Sequence, residues 1–341
     1  MKSAFLVEPG RFEVRELPIP QPGPGEVLVK VAYCGVCTLE QRLYKGDMTI
    51  FYPIVPGHEV SGTVEKLGPG VHTSIAEGDD VAVDMVYRCH GCRFCRSGQS
   101  NLCENRFNKD LRPLGGFSEY VCVRAEQVFP LAEPISLAKA AFAEPVACCL
   151  RSLKKLNLTI AEDLLVIGAG PMGLLHLQAA NAMGARVIVS DVDASRLRTA
   201  KELGARMVVD ASGDDAGRLI REASGGLGVD ACVLTSPADA ALSSAFDAIK
   251  KGGRINIYTA YMQAAPPLPA DLDTIHRNEI LITGSEGRTE LDFQQAARLL
   301  SFGMIDPSVL ISMIAGFGEI DAAVNAACGC GTQRVLLEPG R

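Results

Sequence analysis

No apolar run in this 341-residue chain reaches the roughly 18 residues that a helix needs to cross a bilayer. The N-terminal stretch MKSAFLVEPGRFEV lacks the apolar core of a secretory signal. Blocks of basic residues are missing too, and the net charge is −7, which argues against nucleic acid as a partner. A cytoplasmic protein with no membrane partner is therefore expected. That compartment decides how the 12 cysteines are read: they would suggest disulfides in a secreted chain, whereas in a reducing cytosol short regular spacing points to metal ligands. The 48% hydrophobic and 21% charged content is that of a globular protein, and the length implies about two domains.

Residues 1 to about 130 are rich in Val, Gly and Pro. Gly10, Pro18, Pro20, Pro22, Gly23, Pro24 and Gly25 punctuate short alternating runs such as Glu26-Val27-Leu28-Val29-Lys30-Val31, the pattern of a β-rich unit without helix-rich segments. Inside it lie Cys34-Gly35-Val36-Cys37 and Gly57-His58-Glu59-Val60-Ser61-Gly62. Alone, the first is equally a redox pair and the second a core histidine. Cys89, Cys92, Cys95 and Cys103 follow at gaps of three, three and eight, with Gly91 and Gly98 permitting the turns. Four thiols so spaced can close a tetrahedral shell around a structural zinc, with an iron–sulfur cluster as the weaker rival. Glu144, beside Pro145, is a carboxylate in an apolar run that continues helically through Val146, Leu150 and Leu153. It is either a helix-start charge or a buried functional group.

From about 150 to 285 strands and helices alternate, as in a doubly wound parallel sheet. The run Leu164-Leu165-Val166-Ile167 ends in Gly168-Ala169-Gly170-Pro171-Met172-Gly173, after which Leu174, Leu177, Ala180 and Met183 recur at helical spacing. A second strand, Val187-Ile188-Val189, ends at Asp191, 23 residues after Gly168. This is a complete βαβ dinucleotide fingerprint. Gly168 allows the tight turn, Gly170 the approach of a pyrophosphate to the backbone, and Gly173 the packing of helix on strand. Asp191 can accept from a ribose 2′-hydroxyl and would repel a 2′-phosphate, so NAD is expected rather than NADP. Arg196 and Arg198 lie a helical turn further on.

Together these stretches, with Gly115-Gly116-Phe117-Ser118-Glu119-Tyr120 and His276-Arg277-Asn278-Glu279, resemble the zinc-containing medium-chain dehydrogenases of the alcohol dehydrogenase superfamily, nearest the polyol (sorbitol-type) and threonine branch. The resemblance covers nearly the whole chain. It implies a GroES-like catalytic domain over 1–148 with a structural-zinc lobe at about 86–106, a Rossmann NAD-binding domain over 149–285, and a return to the catalytic domain over 286–341. It further implies domain closure that excludes water from the cleft, and a homodimer or homotetramer. By position it assigns a catalytic zinc to Cys37 and His58, with Glu144 or Glu59 as the third ligand, and a structural zinc to Cys89, Cys92, Cys95 and Cys103. Cys34 gets no ligand role. Cofactor contacts are assigned to Gly168, Gly170, Pro171, Met172, Gly173, Asp191 and Arg196.

The implied chemistry is hydride transfer between NAD and a secondary alcohol or ketone, with zinc lowering the pKa of the substrate hydroxyl. The substrate expected is small and hydroxyl-rich: a polyol, cyclitol, sugar or amino-sugar derivative. An amino alcohol such as threonine is the runner-up, and a non-catalytic NAD-binding relative the rival from another class. Glu40 and Asp47 are candidates to face a cationic amino group. One position departs from the family pattern: Leu39 stands where relatives usually carry a Ser or Thr that starts a proton relay.

Overall fold

The computed structural model describes residues 1–48, 52–72, 74–106, 115–213, 215–260, 267–329 and 331–341. These form two compact units, Met1–Ala147 with Arg288–Arg341, and Cys148–Gly287.

The first unit opens with an antiparallel ribbon, β1 (Lys2–Glu8) against β2 (Arg11–Glu16). Its main sheet contains β3 (Glu26–Gly35), β4 (Glu59–Leu67), β5 (Asp80–Asp84), β6 (Tyr120–Arg124) and β7 (Val128–Pro130). Two strands from the far end of the chain join them, β14 (Ile311–Ala315) and β15 (Arg334–Leu337), in the order β14-β15-β3-β4-β5-β7, with β6 also paired to β3. Alternation along the strands drives Val27, Val29, Val31, Val60, Val64, Val81, Val83, Val121 and Val123 into one core with Phe117; of the intervening residues Lys30 is exposed, whereas Leu28, Ser61 and Ala82 are buried too.

In the second unit β8 (Asp163–Ile167), β9 (Arg186–Asp191), β10 (Met207–Asp210), β11 (Val229–Leu234), β12 (Ile249–Ile257) and β13 (Leu281–Gly284) are all parallel, in the order β10-β9-β8-β11-β12-β13. Strands covered by helices on both faces read as continuous apolar runs, and Leu165, Ile167, Ile188, Cys232, Leu234 and Ile255 form the core.

Two helices interrupt the β-rich unit where composition predicts none. The helix Thr38–Lys45 starts at Cys37, with Glu40 accepting from the Cys37 N–H at 3.1 Å, and ends at Gly46 in the left-handed region. Its mean polarity hides it from a search for apolar periodicity. The other, Arg93–Arg96, is a single turn within the cysteine-rich lobe.

The helix Pro171–Ala182 is buried on nearly every side and carries a fully buried histidine, His176. The His176 Nδ1 lies 2.7 Å from the Met172 carbonyl, so Nδ1 holds the proton and donates, and the ring edge meets Tyr258 at 4.6 Å. Burial drives the His176 pKa down to about 4, so the ring stays neutral. The unfolded chain takes up this proton near pH 6.5, and the native state refuses it until about pH 4. The contribution is therefore intact above pH 6.5 and is lost as pH falls towards 4, to the extent of about 3 kcal/mol. Urea unfolding at pH 7 and at pH 4.5 should show a steeper acid loss in the parent than in His176→Leu; equal losses would contradict this account.

Candidate functional site

Four chain segments converge at one end of the large sheet. Gly35 at the end of β3, Glu59 at the start of β4 and Asp84 at the end of β5 are cross-strand neighbours, and Arg334 opens β15. Cys37 follows β3 as the first cap of the helix Thr38–Lys45, and His58 precedes β4. The Cys37 thiol, a His58 ring nitrogen and a Glu59 carboxylate oxygen lie within 4.8 Å of one another.

Gly35 makes this possible: a Cβ there would stand 1.9 Å from Glu59 Oε2. On its other side Glu59 faces Arg334, whose Nη1 is 3.2 Å from Oε1. The pair is one of charge without donor alignment, and Glu59 Oε1 is buried with no hydrogen-bond partner. Burial raises the Glu59 pKa, and the nearby Glu144 charge adds to this against the pull of Arg334.

His58 is oriented by Glu40, which is 1% exposed and accepts at 2.8 Å from His58 Nδ1, at 3.1 Å from the Gly57 N–H and at 3.1 Å from the Cys37 N–H. A carboxylate on Nδ1 fixes the proton there and leaves Nε2 as a lone pair, the arrangement of a metal-ligating imidazole. Burial opposes charge on His58, but Glu40 and Cys37 outweigh it and raise its pKa well above the ordinary value. The field that favours a proton here favours a divalent cation equally. A thiol, an imidazole lone pair and an orphaned buried carboxylate oxygen thus fit zinc with a further place open. Glu40 does not face a substrate amine, since burial and three hydrogen bonds occupy it; Asp47 is exposed.

Glu144, in the helix Ala143–Lys155, stands outside that trio. It accepts from Arg288, which also donates to Asp84 Oδ1 at 2.7 Å. Arg88 donates to the second Asp84 oxygen at 2.7 Å and to the Arg288 carbonyl at 2.8 Å. Burial pushes the Asp84 carboxyl up, but Arg288 and Arg88 prevail and hold it below its usual range. Sequence reasoning missed Arg88, Arg288 and Arg334: the last two meet partners far off along the chain, and Arg88, four residues after Asp84, lies outside any helix or strand whose period would pair them. Glu40 left a signal: an acid three residues after a cap position.

Cys89, Cys92, Cys95 and Cys103 form the second cluster, their sulfurs within 4.8 Å of one another. Backbone N–H groups of Cys92, Cys95, Cys89 and Asn105 donate to the sulfurs of Cys89, Cys92, Cys103 and Cys103 at 3.3–3.5 Å. Donors aimed at sulfur favour thiolate: the Asn105 side chain and the Cys92 N–H bring Cys89 down to about 6. The set is closed, with four sulfurs for four tetrahedral places. Cys34 is buried in the core of the large sheet and belongs to neither cluster.

In the second unit the glycine turn and Asp191 meet. Gly168 has φ +102°, and a Cβ on Gly173 would stand 1.8 Å from the Gly168 carbonyl, whereas the space beside Gly170 is open. Gly170 caps the helix that begins at Pro171 and Met172, and the positive end of that helix favours an anion beside the turn. Asp191 accepts from the Ala169 N–H at 2.5 Å and from the Asp193 N–H at 2.9 Å, so its carboxylate is held against the turn. The Arg196 N–H donates to Asp193.

Comparison with known proteins identifies the family. Residues 23–133 match the family described as alcohol dehydrogenase GroES-like domain, and 171–301 match zinc-binding dehydrogenase. The chain is 32% identical to a sorbitol dehydrogenase of Halalkalibacterium halodurans, over 97% of this chain and 96% of the relative. A zinc-binding dehydrogenase from Sinorhizobium meliloti bound to NADP superposes with TM-score 0.89 at 30% identity, over 99% of each chain. An alcohol dehydrogenase from Escherichia coli CFT073 complexed with NADH does so with TM-score 0.87 at 29% identity, again over 99% of each. The chain belongs to the zinc-containing medium-chain dehydrogenases of the alcohol dehydrogenase superfamily.

Two variants separate the clusters. Cys92→Ser should lower the melting temperature and the soluble yield, because a closed metal site contributes folding energy. Glu40→Ala should leave the fold intact but weaken retention of the second metal by roughly 10- to 100-fold, the usual cost of removing an orienting partner. Metal analysis after dialysis against a chelator reads both, and unchanged retention in Glu40→Ala would refute its orienting role.

Proposed function

We propose that the protein is an NAD-dependent, zinc-dependent dehydrogenase that interconverts a secondary alcohol and a ketone, with a polyol, cyclitol, sugar or amino-sugar derivative as substrate. The observation that carries this reading is the trio Cys37, His58 and Glu59 with one place open, in a chain whose second unit holds the glycine turn and Asp191. Cys37, His58 and Glu59 would hold the ion, and Glu40 keeps His58 in the ligating tautomer. Zinc, when bound, supplies a Lewis acid that acidifies the substrate hydroxyl, and NAD accepts the hydride. The turn at Gly168–Gly173 receives the pyrophosphate and Asp191 the adenosine ribose, with Arg196 beside it. The hydroxyl-rich substrate is supported by the sorbitol dehydrogenase relative and by the Glu144-Pro145 pair of the polyol branch.

Leu39, 37% exposed on the helix Thr38–Lys45, offers no proton path. A neighbouring hydroxyl of the substrate can carry the proton instead, which a polyol provides and a simple alcohol does not. Assembly as a homodimer or homotetramer is supported by β13, one of the two outer strands of its sheet, whose Leu281 is 48% exposed. A cytoplasmic location is supported by the described cysteines, which stand as thiols outside any disulfide.

NAD reduction across polyols, cyclitols, amino sugars, amino alcohols and 2-propanol tests the reading, and inactivity on the whole panel would reject it. NAD should be preferred to NADP by at least about tenfold in kcat/KM, or about 1.4 kcal/mol, with Asp191→Ser narrowing the ratio. Simple alcohols should be very poor substrates. Leu39→Ser should raise their kcat/KM relative to the best polyol, within the range of about 10² to 10⁴ ascribed to a positioned acid–base group. An unchanged ratio would rule out proton release through the substrate.

A further inference from the structure

Two buried carboxylates stand near Cys37 and His58: Glu59 lies within their cluster and Glu144 outside it. Each is paired with a buried arginine, and the two pairs are built differently. Taking the site as the zinc site proposed above, we propose that Arg288 is a positioning residue that withholds Glu144 from the metal, so that Cys37, His58 and Glu59 make up the protein ligand set and the fourth place stays open for substrate.

The difference lies in how each arginine is anchored. Arg288 divides its two terminal nitrogens between Glu144 Oε1 and Asp84 Oδ1. Asp84 is itself fixed: Arg88 donates to its other oxygen, the Val86 N–H donates to Oδ1 at 3.2 Å, and Gln127 donates to its main-chain carbonyl at 2.8 Å. Arg88 also donates to the carbonyl of Arg288, which clamps that residue at both its backbone and its guanidinium. A further tie comes from the cysteine-rich lobe, where Ser100 donates to Glu290 and Arg88 Nε lies 3.6 Å from the same carboxylate. Arg288 is thus unable to follow Glu144 towards the metal. If Glu144 moved alone, it would leave a buried guanidinium with only one of its two carboxylates, a costly state in a dry interior.

Glu59 is under no such restraint. Its Oε1 receives no aligned donor from Arg334, so a lone pair is available beside the Cys37 thiol and the His58 ring. Glu144 is nevertheless close, since the Arg288 that holds it also holds Asp84, the cross-strand partner of Glu59. Released from Arg288, it would be a fourth protein donor and would close the place that substrate needs.

The test reads metal rather than turnover. Zinc per chain and the rate of zinc loss to dipicolinate are measured in the parent, Glu59→Gln, Glu144→Gln, Arg288→Met and the double variant Arg288→Met/Glu144→Gln, and the visible spectrum of the cobalt-substituted proteins reports the ligand set. The parent and Glu144→Gln should each keep two zincs with similar release, while Glu59→Gln loses one. Arg288→Met should release the second zinc roughly tenfold or more slowly and change the cobalt spectrum, and adding Glu144→Gln should restore parental behaviour. Folded Glu144→Gln that keeps the lobe zinc but loses the other would overturn the proposal, as would Arg288→Met with parental release and spectrum. Should Arg288→Met fail to fold, the Glu59→Gln and Glu144→Gln pair decides by itself. A parent holding only one zinc, unaffected by His58→Ala, would instead sink the zinc-site reading on which this rests.

Discussion

One close approach governs the functional end of the large sheet: the Glu59 carboxylate occupies the space that any side chain on Gly35 would fill. Strand register sets this contact, because Gly35, Glu59 and Asp84 are paired across β3, β4 and β5. A slip by one residue would turn Glu59 to the other face and take Asp84 away from Arg288. Ordinary ladder hydrogen bonds in a valine-rich core therefore decide where the carboxylates of the site stand. The helix Thr38–Lys45 adds the second constraint, since its third residue, Glu40, ties the helix start to the chain just before β4.

The buried charges near this end do not balance without a cation. Glu40, Glu59, Asp84 and Glu144 are four carboxylates, Arg88, Arg288 and Arg334 three guanidiniums, and all seven are buried. Four against three leaves one negative charge in excess, which a proton or a metal ion at His58 would offset. Taking charges out of water is tolerated only where partners compensate. The arginines are concentrated around Asp84, Glu144 and Glu59, so the excess falls at Glu40, beside His58. Division of labour follows: the arginines make a rigid frame, and the histidine side is left for a metal.

How much of this the chain disclosed in advance depends on the range of each interaction. The doubly wound sheet was legible because strands buried on both faces appear as unbroken runs such as Leu164-Leu165-Val166-Ile167, and because the glycine turn and Asp191 lie within one βαβ unit. The cysteine-rich cluster was equally local, its four thiols falling within fifteen positions from Cys89 to Cys103. Arg288 meeting Asp84 and Glu144 is another matter, for these partners are 204 and 144 residues apart and no short pattern announces them. Glu40 misled for a physical reason: in a polar octapeptide it looks like a surface acid, and only the position of His58 in space shows that it is buried.

The strand β3 pairs with β4 and β6, which lie near it in the chain, and with β15, which follows about three hundred residues later. A chain emerging from the ribosome completes the whole parallel-sheet unit before Arg334–Leu337 has been made. Until then only the Cys34–Gly35 end of β3 lacks its partner on one edge, and Glu59 lacks the arginine beside it. The dinucleotide fold can thus be finished while the metal centre is still missing a wall. Assembly of the centre is in this way timed to the end of translation, and a chain interrupted short of β15 would carry a complete nucleotide fold but an unfinished metal centre.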